Sequence, residues 1–280
     1  MVQIENLEFS YGKNKELFSD LNLNLTAGHV YGLLGKNGEG KTSLLNLLSG
    51  LLFPQKGGIE VMGCLPRQRK PSFLSKIFLV EDEVSFPKLN SLTMKTYARS
   101  TKPFYPCFDE KLLEEAMAGF GVSMDDKLNA LSYGQVKKAW LSFGIACNTP
   151  LLLMDEPTNG LDIPSKSYFR RLISSVASDE RCIIISTHQV RDVENLIDSF
   201  VILHENKILL NVNSEEITDR LVFRQVKDGE DALFAEESLK GTFGVLPNLN
   251  KENSRLDVEL FFNGVLNNPE RTREIFNSPL

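Results

Sequence analysis

The sequence predicts an α/β fold built around a parallel sheet that is buried on both faces. Two short and almost entirely apolar runs, LLLMD and RCIIIST, each have a helical pattern nearby. A third run, HVYGLLG, ends in glycine, and the segment TSLLNLLSGLL that follows it has helical spacing. Continuous apolar runs of this length are typical of strands that helices cover on both sides.

The segments around this core predict its other elements. VQIENLEFSY and LFSDLNLNL alternate apolar and polar residues like half-buried strands, and GGIEVMG and KIFLVE predict shorter strands. Between about 90 and 148, the amphipathic segments EKLLEEAMAGF and QVKKAWLSFGIA predict a helical insertion. FVILHENKILL predicts a hairpin that turns at Glu205 and Asn206.

The pattern weakens after about residue 212. LVFRQV, ALFAEE, TFGVLP and DVELFF predict short strands, and PERTREIF predicts a closing helix. We therefore expect a main domain over residues 1–212 and a small accessory C-terminal region over residues 213–280.

Composition and charge disfavour several classes of protein. The formal net charge of −6 over 280 residues disfavours a nucleic-acid partner. No apolar run approaches the roughly 18 residues of a membrane-spanning helix, and MVQIENLEFS lacks the basic start and apolar core of a signal peptide. The four cysteines show no CxxC spacing, which favours reduced thiols in the cytoplasm.

The segment GKNGEGKT at 35–42 fits the pattern G-x-x-x-x-G-K-[ST] between a predicted strand and a predicted helix. Its glycines let the backbone curl so that N–H groups face phosphates, and the helix adds the positive end of its dipole. We expect Lys41 to reach β- and γ-phosphates and the Thr42 hydroxyl to ligate Mg²⁺. The alternative, a glycine-rich turn that binds nothing, is disfavoured by the strand–loop–helix context.

Two further predicted strands end in polar side chains. LLLMDEP places Asp155 where a carboxylate holds the Mg²⁺ shell, and Glu156 where it can accept a proton from an attacking water. RCIIISTH places His188 at a strand tip, where open α/β sheets bind ligands. The alternative for the two acids is a solvated strand end, and His29 and His204 are interpreted as structural.

The ordered set GKNGEGKT, LSYGQ, LLLMDEPTNGLD and STH resembles the ATP-binding subunits of ABC transporters, from residue 1 to about 210. The first motif, the Walker A pattern, is shared with kinases and GTPases, and LSYGQ ahead of the acidic pair singles out the ABC family. The resemblance implies a P-loop NTPase fold with a RecA-like core, an antiparallel β-subdomain and a helical subdomain that carries LSYGQ.

The resemblance also implies roles for individual residues. Tyr11 would stack on adenine, Glu156 and His188 would be the catalytic glutamate and the switch histidine, and Asp162 would lie in a loop that crosses a dimer interface. LSYGQ would contact ATP bound to a second nucleotide-binding subunit, in a homo- or heterodimer that sandwiches two ATP molecules. Besides Tyr11 and Asp162, the implied nucleotide-binding residues are Gly35, Lys36, Asn37, Gly38, Glu39, Gly40, Lys41, Thr42, Ser43, Ser132, Gly134 and Gln135.

The sequence departs from the family pattern at two places. Tyr133 stands where the family most often has glycine, which makes the rim of the site bulkier. The family expects a glutamine after the KIFLV strand, and here Glu81, Asp82 and Glu83 follow it. Because a carboxylate can replace an amide as a metal ligand, we expect Asp82 to ligate Mg²⁺, with its two neighbours as alternatives. A solvated acidic loop is the other interpretation.

The implied function is ATP hydrolysis that powers transport through a separate membrane-spanning permease. Export is favoured because many compact family members with an extra C-terminal segment serve exporters. ATP and Mg²⁺ are the expected ligands, and the chain is expected in the cytoplasm, on the inner face of the membrane through its partner. The alternative is an ABC ATPase of DNA repair or the ribosome, which missing coiled-coil and zinc-cysteine signatures disfavour. A kinase built on the same loop is disfavoured by LSYGQ.

Overall fold

The computed structural model describes residues 1–12, 16–83, 92–227, 229–239 and 241–278. The strands are β1 (Val2–Ser10), β2 (Glu16–Leu25), β3 (Val30–Leu34), β4 (Lys56–Val61), β5 (Ile77–Val80), β6 (Leu151–Asp155), β7 (Cys182–Thr187), β8 (Ser199–His204), β9 (Lys207–Asn213), β10 (Leu221–Gln225), β11 (Phe234–Ser238) and β12 (Gly241–Pro247). The α-helices are α1 (Lys41–Leu48), α2 (Pro71–Leu74), α3 (Met94–Thr101), α4 (Glu110–Gly119), α5 (Tyr133–Ala146), α6 (Ile163–Val176), α7 (Ser214–Arg220), α8 (Val258–Asn267) and α9 (Pro269–Asn277).

A mixed six-stranded sheet forms the centre of the molecule, in the order β5-β6-β7-β3-β8-β9. The first five strands are parallel, and β9 runs antiparallel to β8. Every residue of β3, β6 and β7 is buried, as the apolar runs predicted. The carboxyl ends of these strands therefore meet at one edge of the sheet.

The predicted hairpin of β8 and β9 is confirmed. His204 pairs with Lys207 across the turn. Glu205 and Asn206 have φ angles of 49° and 62°. Positive φ at both central residues is what a two-residue turn of type I′ requires, and asparagine tolerates it well.

A second, antiparallel sheet has the order β2-β1-β4 and shares an apolar core with α1. The predicted helix over TSLLNLLSGLL is shorter than expected, because α1 ends at Leu48. Gly50 follows with a φ of 70°, and a Cβ on it would lie 2.5 Å from the carbonyl oxygen of Pro66. The chain therefore leaves the helix at a position that suits only glycine.

Helices α3, α4 and α5 occupy the helical insertion predicted between about 90 and 148, and residues 84–91, which overlap its start, lie outside the described residues. An aromatic cluster fixes α5 against the central sheet. Trp140 and Phe143 stack with ring centroids 5.8 Å apart, and Phe143 lies 5.7 Å from Phe78 of β5. This packing places LSYGQ, at the start of α5, next to the end of β5.

The C-terminal residues form a third sheet, in the order β10-β12-β11, with α7, α8 and α9 around it. The prediction that DVELFF is a strand is wrong, because these residues begin α8. The Asp257 side chain caps that helix by accepting from the N–H of Leu260 at 3.0 Å. Val258, Phe261 and Val265 are buried at the three- and four-residue spacing of a helix.

The C-terminal residues share a core with the central sheet. Phe261 of α8 lies 6.1 Å, ring to ring, from Phe200 of β8 and 6.3 Å from Phe276 of α9. All three belong to the apolar cluster that covers one face of the central sheet. The division of the chain into 1–212 and 213–280 stays a prediction. Of the helices that the described residues form, none is long and apolar enough to cross a bilayer.

Candidate functional site

The loop at 35–40 joins β3 to α1, and its glycines shape it. Gly38 and Gly40 have φ angles of 88° and 101°, a conformation that glycine adopts without a steric penalty. A Cβ on Gly40 would also lie 2.6 Å from the ring of Phe18. The loop therefore curls immediately before the N-terminus of α1, an arrangement that binds anions in proteins.

Lys41, the first residue of α1, turns its side chain back over this loop. Its Nζ donates to the carbonyl oxygens of Gly35 at 2.7 Å and Lys36 at 3.2 Å. Burial lowers the pKa of Lys41, while the charges of Glu156 and Asp155 act in the opposite direction. Because the ammonium is held by carbonyl groups and faces two carboxylates, it can exchange these partners for phosphate oxygens.

Asp155 and Thr42 meet at the base of the site. Asp155 is buried at the end of β6, with 5% of its surface exposed. The Thr42 hydroxyl donates to its Oδ2 at 2.6 Å, and the Ser186 hydroxyl donates to its Oδ1 in a short hydrogen bond. A hydroxyl and a carboxylate side by side are hard oxygen ligands, the kind that Mg²⁺ prefers.

Glu156 has a strained backbone and a carboxylate that contacts His188. Its φ angle is 44°, which costs a non-glycine residue about 1–3 kcal/mol. Its N–H donates to the carbonyl oxygen of Ser186 at 3.1 Å. Its Oε1 accepts from the N–H of His188 at 3.1 Å and lies 2.8 Å from Nδ1 of that ring. The strained turn thus aims the carboxylate at the tip of β7.

These groups open onto one cleft of 840 Å³. Tyr11 lines its edge, 52% exposed, with its hydroxyl 2.9 Å from the Ser43 Oγ. The Tyr11 ring packs edge-on against Phe9, with centroids 5.0 Å apart. The other residues that line the cleft include Asn37, Gly38, Gly40, Lys41, Thr42, Asp155, Glu156, His188 and the acidic stretch from Glu81 to Glu83.

LSYGQ forms the N-terminal cap of α5. The N–H of Gln135 donates to Ser132 Oγ at 3.4 Å, and the N–H of Ser132 donates to Gln135 Oε1 at 3.0 Å. This reciprocal pair is a capping box, and it holds the helix N-terminus at the surface. Of the described residues, those that line the cleft do not include Ser132, Gly134 or Gln135. Their predicted contact with nucleotide stays a prediction.

Asp162 caps α6 and also lies outside the described lining of the cleft. Its Oδ1 accepts from the N–H of Ser165 at 2.8 Å, and its Oδ2 lies 3.0 Å from Lys138 Nζ. Hydrogen bonds from Ser165, with help from Lys138, lower the pKa of Asp162 to about 2. Its predicted role at a dimer interface stays a prediction.

Glu39 pairs with His204 near the loop at 35–40, and His29 lies at the other end of β3, away from that loop. Glu39 Oε1 lies 3.7 Å from His204 Nδ1, between the loop and the end of β8. His29 Nδ1 lies 2.7 Å from Asp198 Oδ1 at the start of β3. The Asp198 carboxylate therefore holds His29 within the fold, which agrees with the interpretation of His29 as a structural residue.

Asp82 faces the cleft, and its carboxylate is paired with Lys137. Lys137 Nζ lies 2.6 Å from Asp82 Oδ1, and Asn159 Nδ2 lies 3.4 Å from both carboxylate oxygens. The Tyr133 hydroxyl donates to the backbone carbonyl of Asp82 at 3.0 Å. Ligation of Mg²⁺ by Asp82 stays a prediction. The Lys137 ammonium already contacts this carboxylate.

Sequence reasoning missed Lys137, Asn159 and Ser186. Ser186 lies in the polar tip STH, so its position beside Asp155 had a signal in the sequence. Lys137 had none, because a lysine after LSYGQ is expected on the solvent face of a helix. Its partners lie 55 and 19 residues away along the chain.

Known proteins are similar to this chain in sequence and in fold. A family model described as ABC transporter matches residues 18–159. The lantibiotic transport ATP-binding protein SrtF of Streptococcus pyogenes is 30% identical over 214 residues, 75% of this chain and 90% of SrtF. The bacitracin transport ATP-binding protein BcrA of Bacillus licheniformis is 29% identical over 223 residues, 79% of this chain and 72% of BcrA.

One solved structure, described as the ATP binding subunit of an ABC transporter, shares the fold. It matches with a TM-score of 0.69 over 78% of this chain and 91% of that chain, at 21% identity.

Proposed function

The chain belongs to the ABC transporter family as an ATP-binding subunit that hydrolyses ATP, and on that premise we propose that it powers export through a separate membrane-spanning permease. The observation that carries the ATP-driven part of the proposal is the meeting, in one cleft, of the phosphate loop, the Asp155–Glu156 pair and His188.

We assign the triphosphate of ATP to the loop at 35–40 and the N-terminus of α1. Lys41 would give up its bonds to the loop carbonyls for bonds to the β- and γ-phosphates, which carry more negative charge. Tyr11 lines the edge of the cleft, and we assign it to stack on the adenine ring. Ser43, whose hydroxyl lies beside that of Tyr11, is assigned to the same site.

We assign Mg²⁺ to Thr42 and Asp155, whose oxygens lie 2.6 Å apart at the base of the cleft. The pair fits the ion because both ligands are hard oxygens and Asp155 is held in place by Ser186. When bound, the ion neutralises charge on the phosphate oxygens. Asp82 as a further ligand is the sequence hypothesis that the structure leaves untested.

Glu156 is proposed to activate the attacking water. The water oxygen forms a bond to the γ-phosphorus while the bond from that phosphorus to the bridging oxygen of ADP breaks. The proton of the water passes to the Glu156 carboxylate. Because Oε1 is held by His188, Oε2 is the oxygen that we assign to receive the proton.

Ser132, Gly134 and Gln135 are proposed to complete the ATP site of a second nucleotide-binding subunit. They lie at the N-terminus of α5, where helix N–H groups and the helix dipole favour an anion. Asp162, at the N-terminus of α6, is assigned to the same interface. ATP would then close two subunits on each other, and hydrolysis would release them.

Export is proposed from the relatives and from the extra C-terminal segment. SrtF and BcrA are named for transport of a lantibiotic and of bacitracin. Both cargoes are antimicrobial peptides, and we infer a cargo of that chemical class for this chain. The permease would hold the chain at the inner face of the membrane.

The test is transport by inside-out vesicles from cells that contain the chain and a membrane-spanning permease that co-purifies with it. ATP-dependent accumulation of bacitracin or a lantibiotic inside these vesicles, lost in Lys41→Ala, is the expected result. Accumulation in right-side-out vesicles instead would make the system an importer. ATP hydrolysis that moves neither peptide in either preparation would contradict the proposed cargo class.

A further inference from the structure

Lys137 is a fully buried lysine on α5 that the mechanism above does not use. It follows LSYGQ by two residues, and its side chain has 0% exposure. Lysine is almost never fully buried unless its charge is paired, because burial removes the water around the ammonium. The partners of this ammonium therefore indicate what the residue does.

Two groups from different loops bind the Lys137 ammonium. Nζ donates to Asp82 Oδ1 at 2.6 Å and to the backbone carbonyl oxygen of Glu156 at 2.7 Å. Asp82 follows β5, and Glu156 follows β6, so one side chain of α5 joins two neighbouring strand ends. Both distances are those of strong, charge-assisted hydrogen bonds.

The bond to Glu156 falls on the residue with the strained backbone. The left-handed φ of Glu156 turns its carboxylate toward His188, and such a conformation persists only where the surroundings enforce it. On one side of the residue, its N–H is held by the carbonyl of Ser186. On the other side, its carbonyl accepts from Lys137 Nζ at 2.7 Å and from the N–H of Asn159 at 3.1 Å. Loss of the lysine would remove the shorter and only charged one of these two bonds.

We propose that Lys137 is a positioning residue that fixes the backbone of Glu156, and that Asp82 is its counter-ion rather than a Mg²⁺ ligand. This inference rests on the proposed role of Glu156 as the base that activates water. In this arrangement the Asp82 carboxylate neutralises the charge of the buried ammonium. The ammonium holds the Glu156 backbone, and the backbone directs the Glu156 carboxylate at the attacking water. Lys137 itself is not among the described residues that line the cleft.

The first test is Lys137→Met, which keeps the length of the side chain and removes its donors. We expect kcat for ATP hydrolysis to fall about a hundred-fold, the size of effect that a small misplacement of a reacting group produces. KM for ATP and the Mg²⁺ concentration for half-maximal turnover should stay close to those of the unmodified chain. An unchanged kcat would overturn the proposal.

A second variant separates positioning from stability. Lys137→Met leaves Asp82 without its counter-ion, so Asp82→Leu is added to remove the remaining charge. The double variant should regain melting temperature while kcat stays low, because the donor to Glu156 is still missing. If kcat recovered together with the melting temperature, the only role of Lys137 would be to neutralise Asp82. That result would overturn its positioning role.

Arg181→Met is the matched control. Arg181 is also a buried cation, 4% exposed, and it donates to the Thr149 carbonyl at 3.0 Å and the Ile145 carbonyl at 3.4 Å. It lies next to the other end of α5 and the opposite end of β7 from His188. We expect this variant to lower the melting temperature without lowering kcat per folded molecule. An equal fall in kcat in both variants would mean that loss of a buried cation, not its position, causes the effect.

The role of Glu156 and the role of Lys137 are tested separately. If Lys137 acts through Glu156, Lys137→Met should slow hydrolysis no further when Glu156→Gln is already present. Turnover by Glu156→Gln at the rate of the unmodified chain would remove the premise, which is a failure of the proposed function. Asp82→Asn addresses the counter-ion: a raised Mg²⁺ requirement there would make Asp82 a metal ligand and overturn its assignment here.

Discussion

The two sides of the cleft are fixed by different physical means. The loop side, residues 35–43, is shaped by backbone conformation, with glycines at positive φ and Lys41 folded onto loop carbonyls. The helix side, formed by Asp82, Tyr133, Lys137 and Asn159, is held by side chains from three segments: α5 and the residues that follow β5 and β6.

This difference predicts how each side responds to change. On the loop side, the Lys41 ammonium is the group that we expect to exchange its bonds to loop carbonyls for bonds to phosphate. Variants of the loop side should therefore affect ATP binding and turnover together. The helix side already pairs its charges within the chain. Its variants should therefore affect the placement of Glu156 or contacts with another subunit, while ATP still binds.

Lys41→Ala should have the largest effect. Removal of the ammonium that faces the phosphates should weaken ATP binding and lower turnover about 10²–10³-fold, as loss of one strong electrostatic contact does in other enzymes. Phosphate release under steady-state conditions measures it. Lys207→Ala, an exposed lysine on β9, is the control and should behave like the unmodified chain. Unchanged turnover in Lys41→Ala would contradict the assignment of the loop side.

A mixed dimer tests whether LSYGQ on the helix side contacts ATP that is bound to the loop side of another subunit. Ser132→Arg should block closure, and Lys41→Ala should disable the facing loop. Each variant alone forms dimers with two damaged sites. If the contact is between subunits, mixing places both lesions in one site and leaves the other intact, so about one ATP per mixed dimer should be occluded.

Occlusion after subunit exchange, followed with a tag on one variant, measures this. No gain on mixing would contradict closure of one intact site across the interface. Normal occlusion by Ser132→Arg alone would contradict the Ser132 contact itself.

Asp162→Ala should have the smallest effect, on stability. The folded-state pKa of Asp162, about 2, lies below its unfolded value of about 3.9, so the charged cap stabilises the fold above the unfolded value. That contribution is lost as the pH falls through the folded value. The variant should melt a few degrees lower at neutral pH, and as the pH falls to about 2 the difference should shrink toward the contribution of an uncharged cap. The side chain is 60% exposed, which limits the effect.

Asp162→Asn is the matched control, since it keeps an oxygen that can cap α6 and removes only the charge. It should melt between the unmodified chain and the alanine variant. Equal melting temperatures for all three would show that neither the cap nor the charge contributes.

The sequence predicted the loop side well because its information is local. GKNGEGKT is eight consecutive residues between a strand and a helix, and Gly38 and Gly40 have the positive φ that the curled loop requires. The central strands were predicted for the same reason, since burial on both faces demands continuous apolar runs.

The helix side could not be predicted, because it depends on contacts between residues far apart in the chain. Lys137 has the sequence signature of a solvated helix residue, and only the fold brings Asp82 and Glu156 to it. The strand expected at DVELFF failed in a related way. Its apolar residues fit either spacing, and packing of Phe261 against Phe200 decided for a helix.

Hydrolysis of bound ATP by Glu156→Gln is the most direct test of the account. Glutamine keeps an oxygen that can accept from the N–H of His188, so the geometry of the strained turn should persist while the base is lost. In a single-turnover measurement, the variant should bind ATP as tightly as the unmodified chain and hydrolyse it more than about a hundred-fold more slowly. Hydrolysis at the unmodified rate would show that another group activates the water and would contradict the central role of Glu156.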